Sequence, residues 1–163
     1  MKSLVEFGGV QKMNEIFAEE NIFFIEEGLT DKNTFLKIVA EKAAEKELVS
    51  SKEACIKGLL EREQQQTTGF QEGFAIPHCK NDTVYSPKLM YFKTAPIPWD
   101  SLDGNPITDS FVLLIPEKAA DEHLKYLALL SRALIDDEFR SGIKASQTQN
   151  EIYRLICQKL GVK

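Results

Sequence analysis

The sequence predicts an α/β protein in which a sheet is covered by helices on both faces. Three observations lead there. Short apolar runs rich in aromatic and β-branched residues, such as Ile22-Phe23-Phe24-Ile25, read as strands. Longer segments carry apolar residues at spacings of three and four, the mark of amphipathic helices. The two kinds follow one another in the order β-α-α-β-β-β-α-α-α.

The first strand, 22–25, ends before Gly28, and Thr30-Asp31 offers an N-cap to a helix striped by Phe35, Leu36, Val39, Ala40 and Ala43. A second helix opens on a predicted capping box, with Ser50 reaching into the turn and Glu53 reaching back. Its stripe is Cys55, Ile56, Leu59 and Leu60, and Arg62 continues the line seven residues after Cys55, at the C-terminal end of the buried face. The polar, Gly-punctuated stretch 64–73 is a loop leading into a short strand, Phe74-Ala75-Ile76. Pro77 cannot donate to a ladder, so His78 is expected where this strand leaves the sheet. Leu89 to Thr94 is a weakly alternating strand, and the continuous apolar run 111–115, between Asp109 and Pro116, reads as a strand buried on both faces. Leu124, Leu127, Leu130 and Leu134 stripe the next helix, Phe139 and Ile143 belong to a short one, and Ile152, Tyr153, Ile156 and Leu160 stripe the last. Residues 1–12, with Gly8-Gly9 and little periodicity, are expected to form an arm, and 13–163 a single domain.

The 163 residues suffice for one core, and 43% hydrophobic with 28% charged side chains is the balance of a globular chain. A formal net charge of −5 argues against nucleic acid and anionic lipid, both of which call for a basic face. Cys55, Cys79 and Cys157 are odd in number and widely spaced, which predicts reduced thiols and a cytoplasmic location. The N-terminus lacks a signal-peptide core, and no apolar run approaches the roughly 18 residues of a membrane span.

Two histidines carry the chemical interest. His123 starts the line through Leu127, Leu130 and Leu134, so it should face inward at the rim of the core. On pattern alone either histidine can be structural. A zinc site built on His78, Cys79 and His123 is disfavoured, because neighbours on an extended segment point to opposite faces. Cys79 reads as a small buried thiol. The GFQEG stretch lacks the lysine of a phosphate loop, so no nucleotide site or cofactor is expected. Glu61 and Glu63, two apart on a helix, do not share a face and read as solvated acidic surface. Trp99 reads as a packing residue beneath the loop.

The block Glu61-Arg62-Glu63, Thr68-Gly69 and Gly73-Phe74-Ala75-Ile76-Pro77-His78-Cys79 closely resembles the phosphorylation-site signature of enzyme IIA domains of the fructose/mannitol class of the sugar phosphotransferase system. The likeness continues through Ala95-Pro96-Ile97-Pro98-Trp99 and Glu122-His123-Leu124-x-x-Leu127, and spans about residues 13–160. It implies a three-layer α/β/α fold with a mixed sheet. It also implies a phosphoryl carrier that takes its group from phospho-HPr and passes it to a cysteine of an enzyme IIB component serving sugar uptake. His78 matches the phosphorylated residue, His123 the second active-site histidine and Arg62 the nearby arginine. Backbone N–H groups of the Thr68–Gly73 loop, those of Thr68 and Gly69 first, can add to the hold on the phosphoryl oxygens. Neither a metal nor a cofactor is implied, and the IIB and IIC permease components are expected on other polypeptides. A nitrogen-type regulatory paralogue using the same histidine is the alternative, and an interaction domain with inert histidines a third reading. The sequence assigns no role to Gln64-Gln65-Gln66.

Overall fold

The computed structural model describes residues 15–161; the arm expected over 1–12 lies outside them. A 3-10 turn (Glu19–Asn21) leads into β1 (Ile22–Ile25), followed by α1 (Lys32–Glu45) and α2 (Lys52–Gln65). Then come β2 (Phe74–Ala75), β3 (His78–Asn81), β4 (Lys88–Ile97), β5 (Ile107–Pro116), α3 (Ala120–Ala133), α4 (Asp137–Ala145) and α5 (Gln149–Lys159). The sheet is mixed, as expected: β1 runs parallel to β4, β4 antiparallel to β5, and β2 and β3 both parallel to β5.

Alternation along the strands divides the core into two halves. Leu89, Tyr91, Phe111, Leu113 and Ile115 face α3, α4 and α5, where they meet Tyr126, Leu130, Phe139, Ile143, Ile152 and Ile156. Met90, Phe92, Val112 and Leu114 face α1 and α2, against Phe35, Leu36, Val39, Cys55 and Leu59. β5 is thus buried on both faces, which is why it reads as an unbroken apolar run. The helices make a layer on each side, the α/β/α architecture expected.

Local signals decide most boundaries. Asp31 caps α1, its carboxylate accepting from Thr34 N at 2.7 Å, and the whole predicted stripe of α1 is buried. Thr148 and Glu151 form a reciprocal capping box on α5. The box expected at Ser50 and Glu53 does not form. Ser51 is the cap, accepting from Ala54 N at 3.1 Å, because Ser50 is held by Thr83 through its backbone N–H (2.8 Å) and its hydroxyl (3.0 Å). Leu124 also departs from its predicted stripe: it is exposed, and the buried face of α3 runs through Tyr126, Leu130, Ala133 and Leu134.

The largest difference lies at Pro77. The strand does not leave the sheet there. Phe74 pairs with Asp109, Ala75 with Ser110 and His78 with Leu113, so the offset to β5 is the same on both sides of the proline. Pro77 lacks an N–H but its carbonyl still accepts from Leu113 N at 3.0 Å. β2 and β3 are one line on β5, interrupted only where proline cannot donate. His78 therefore opens the second half of a strand, on the same side of the pleat as Phe74 and Ile76, facing the α3 layer.

Candidate functional site

His78 is almost wholly buried, with 4% of its surface exposed. Its Nδ1 lies 2.9 Å from the carbonyl oxygen of Ile76, an acceptor only, so Nδ1 carries the proton. Its Nε2 receives the Nε–H of Arg62 at 2.9 Å, and a guanidinium can only donate. The two contacts independently select one tautomer, with the lone pair on Nε2. Burial, the largest effect, pushes the imidazole pKa down to about 4; the Ile76 carbonyl and Glu63 oppose the shift, while Arg62 and His123 reinforce it. At neutral pH the ring is uncharged and nucleophilic at Nε2 alone.

His123 lies in the first turn of α3, and its ring centroid is 5.0 Å from that of His78, tilted by 51°. Burial holds its pKa below the usual histidine value, with the charges of Lys80 and Arg62 adding to the effect. Its Nε2 is buried and makes no hydrogen bond among the described residues. A buried polar atom without a partner costs about 1–3 kcal/mol, which fits a group kept for a ligand.

Arg62 reaches the site from the last turn of α2, half-buried as its place on the stripe predicts. It is held from behind, since its Nη1 donates to the carbonyl of Gln66 at 2.7 Å. This gives the polar stretch after α2 its part: Gln66 is the C-cap residue of the helix, and its main chain anchors the arginine. The structure thus brings His78, His123 and Arg62 together.

Thr68 and Gly69 are placed otherwise than expected. The Thr68 N–H donates to Glu63 Oε2 at 2.8 Å and the Gly69 N–H to Thr67 Oγ1 at 3.1 Å, so neither is free to hold a phosphoryl oxygen. Their role is to shape the loop. A Cβ on Gly69 would come within 2.7 Å of Trp99 Cδ1 and of Ser101 Cβ, so only glycine lets the chain lie on the indole. Trp99 is indeed a buried packing residue beneath the loop.

Glu63 is the residue that sequence reasoning misplaced. It is no part of a solvated acidic face but is 5% exposed, a buried carboxylate at the base of the loop. The signal was present, for Cys55, Leu59 and Glu63 recur at intervals of four and share a face. Glu61, by contrast, is exposed as read.

The chain matches the family model described as phosphoenolpyruvate-dependent sugar phosphotransferase system, EIIA 2, over residues 15–159, and it belongs to that family. Membership makes it, at the level of class, a phosphoryl carrier. It is 30% identical over 126 residues to the fructose-specific EIIABC component of Mycoplasma pneumoniae, covering 77% of this chain but only 18% of that protein. Against the nitrogen regulatory protein of Pseudomonas aeruginosa, identity is 36% over 99 residues, 60% of this chain and 64% of the relative. The crystal structure of the nitrogen regulatory protein IIA-Ntr from Neisseria meningitidis superposes with a TM-score of 0.81 at 25% identity, covering 89% of this chain and 99% of that one. Among the described residues, no helix is long and apolar enough to cross a membrane.

Proposed function

We propose that residues 13–163 act as one IIA domain that is phosphorylated on His78 Nε2 by phospho-HPr and hands the group to a cysteine of an enzyme IIB component, in the cytoplasm and in the service of sugar uptake. The observation that carries this reading is the double fixation of the His78 tautomer by Ile76 and Arg62. In the first step the Nε2 lone pair attacks phosphorus, and the donor's P–N bond breaks with its electron pair returning to the donor imidazole. In the second a thiolate attacks phosphorus and the pair returns to His78 Nε2. The proton stays on Nδ1, hydrogen-bonded to the Ile76 carbonyl throughout, so no proton need leave the ring.

Arg62, 2.9 Å from the attacking nitrogen, is placed to exchange that contact for a two-pronged hold on the phosphoryl oxygens. His123 supplies a further donor from its unpartnered edge. The burial of the His78 ring limits water that would hydrolyse the intermediate. The relative named EIIABC supports IIB and IIC components as the onward route. A second reading, a nitrogen-type regulator that uses the same phosphorylation to control binding, is favoured by the relative and the structure named nitrogen regulatory proteins.

The test is incubation with phosphoenolpyruvate, enzyme I and HPr. Intact mass should rise by one phosphoryl group, acid-labile and alkali-stable, and the gain should vanish in His78→Ala. Label persisting in that variant refutes the site. Discharge by a cognate IIB separates the carrier from the regulator.

A further inference from the structure

The most unusual group outside the reacting set is Glu63. A carboxylate this deeply buried is costly unless its oxygens are satisfied. Here donors converge on it from three parts of the chain. Oε2 accepts the Thr68 N–H at 2.8 Å, the indole Nε1–H of Trp99 at 3.0 Å and the Thr67 hydroxyl at 3.3 Å, while Oε1 accepts the Thr68 hydroxyl. Lys32, the first residue of α1, brings its ammonium to 3.6 Å of Oε2 and pairs also with Asp100. Together they fasten the chain immediately after Gln66, whose carbonyl holds Arg62 Nη1.

We propose that Glu63 is a positioning residue for phosphoryl transfer: its carboxylate clamps the 66–69 loop, and through the Gln66 carbonyl it aims the Arg62 guanidinium at His78 Nε2. Three hydrogen bonds tie Glu63 to Thr67 and Thr68, the chain leads directly back to Gln66, and one hydrogen bond joins Gln66 to Arg62; the sequence supplies Arg62 and its clamp as adjacent residues on the last turn of α2. A long, exposed-ended arginine loses rotamer freedom when it is held at both Nε and Nη1, and a pre-aimed donor needs no rearrangement when the phosphoryl group arrives. Without the clamp the loop leaves Trp99, the Gln66 carbonyl moves, and Arg62 is held at one end only.

The inference rests on the proposed phosphorylation of His78, so the test has one arm that involves no donor. In that arm, the Arg62 Nε–H resonance of the 15N-labelled protein is followed by NMR; its hydrogen bond to His78 should protect it from exchange. Glu63→Ala should abolish that protection, whereas Glu63→Gln, whose amide oxygen can still take the Thr68 and Trp99 N–H groups, should retain it. In the second arm, rapid-quench transfer from phospho-HPr should slow at least tenfold in Glu63→Ala with KM for the donor unchanged, and should stay within threefold of wild type in Glu63→Gln.

An Arg62 signal still protected in Glu63→Ala, or a glutamine variant as slow as the alanine one, overturns the positioning role. If Glu63→Ala does not fold, Thr68→Val removes one hydroxyl donor while keeping the N–H. It should partly deprotect Arg62 and slow transfer several-fold, and wild-type behaviour in both overturns the proposal. Failure of wild type to accept phosphate would refute the function proposed above while leaving the NMR arm intact.

Discussion

Acidification should unfold this protein partly through one histidine. The unfolded chain binds a proton on His78 near pH 6.5, whereas the folded chain resists until about 4. Between those values the unfolded state holds one proton more, so stability falls as pH falls, by about 1.4 kcal/mol per unit. The contribution is fully present above about pH 6.5, and between pH 7.5 and 4.5 roughly 2.5 kcal/mol of it is lost. His78 is buried, so solvent screening does not dilute the effect. Carboxylates and His123 titrate over part of the same range, and for that reason the comparison is with His78→Gln, which cannot take up the proton. Urea unfolding of both proteins at pH 7.5, 6.5, 5.5 and 4.5 gives the difference curve. Wild type should lose progressively more stability than the variant as pH falls below 6.5. Imidazole 15N shifts should show the Nδ1-protonated neutral ring of His78 persisting to pH 5. Parallel stability curves, or a His78 midpoint near 6.5, would refute the reasoning that burial keeps this imidazole neutral.

The other predictions concern the neighbours. His123→Ala should slow transfer from phospho-HPr and to IIB by about 10²-fold, the usual effect of losing one transition-state donor, with His78 still labelled at long times; rapid-quench measurement of both half-reactions checks it. Arg62→Lys should slow both half-reactions as well, since an ammonium cannot reach Nε2 and the Gln66 carbonyl at once, and steady-state labelling will show whether the same endpoint is reached. Gly69→Ala should cost about 1–3 kcal/mol in urea unfolding, because its Cβ would meet Trp99 and Ser101 at 2.7 Å. The fluorescence of Trp99, the single tryptophan of the chain, should change with it.

Much of this was legible before any coordinates. The stripe of α1, its Asp31 cap, the doubly buried β5 and the convergence of His78, His123 and Arg62 follow from spacing and from the resemblance of the Glu61–Cys79 block. What was not legible depends on contacts far apart in sequence. Thr83 decides between Ser50 and Ser51 as the cap of α2, whereas the spacing to Glu53 favoured Ser50. Lys32, Thr68 and Trp99 make a buried carboxylate tolerable at Glu63, and the charge of the side chain outweighed its place on the Cys55–Leu59 line. The same carboxylate takes the Thr68 N–H, expected among the donors to the phosphoryl group. Leu124 shares a helical spacing with buried leucines, but how α3 lies on the sheet puts it outside.

The unbroken register across Pro77 sets a rule about length rather than about letters. Because β2 and β3 keep one offset to β5, the pleat counts residues from Phe74 to His78, and each step reverses the side. Removing or adding one residue between Ala75 and His78 would turn the imidazole to the layer where Cys79 now packs among Cys55 and Leu59, away from His123. Substitutions in that segment can be absorbed by repacking. A one-residue insertion or deletion cannot, and it would bury His78 in the wrong half of the protein while leaving every residue of the proposed site in the chain.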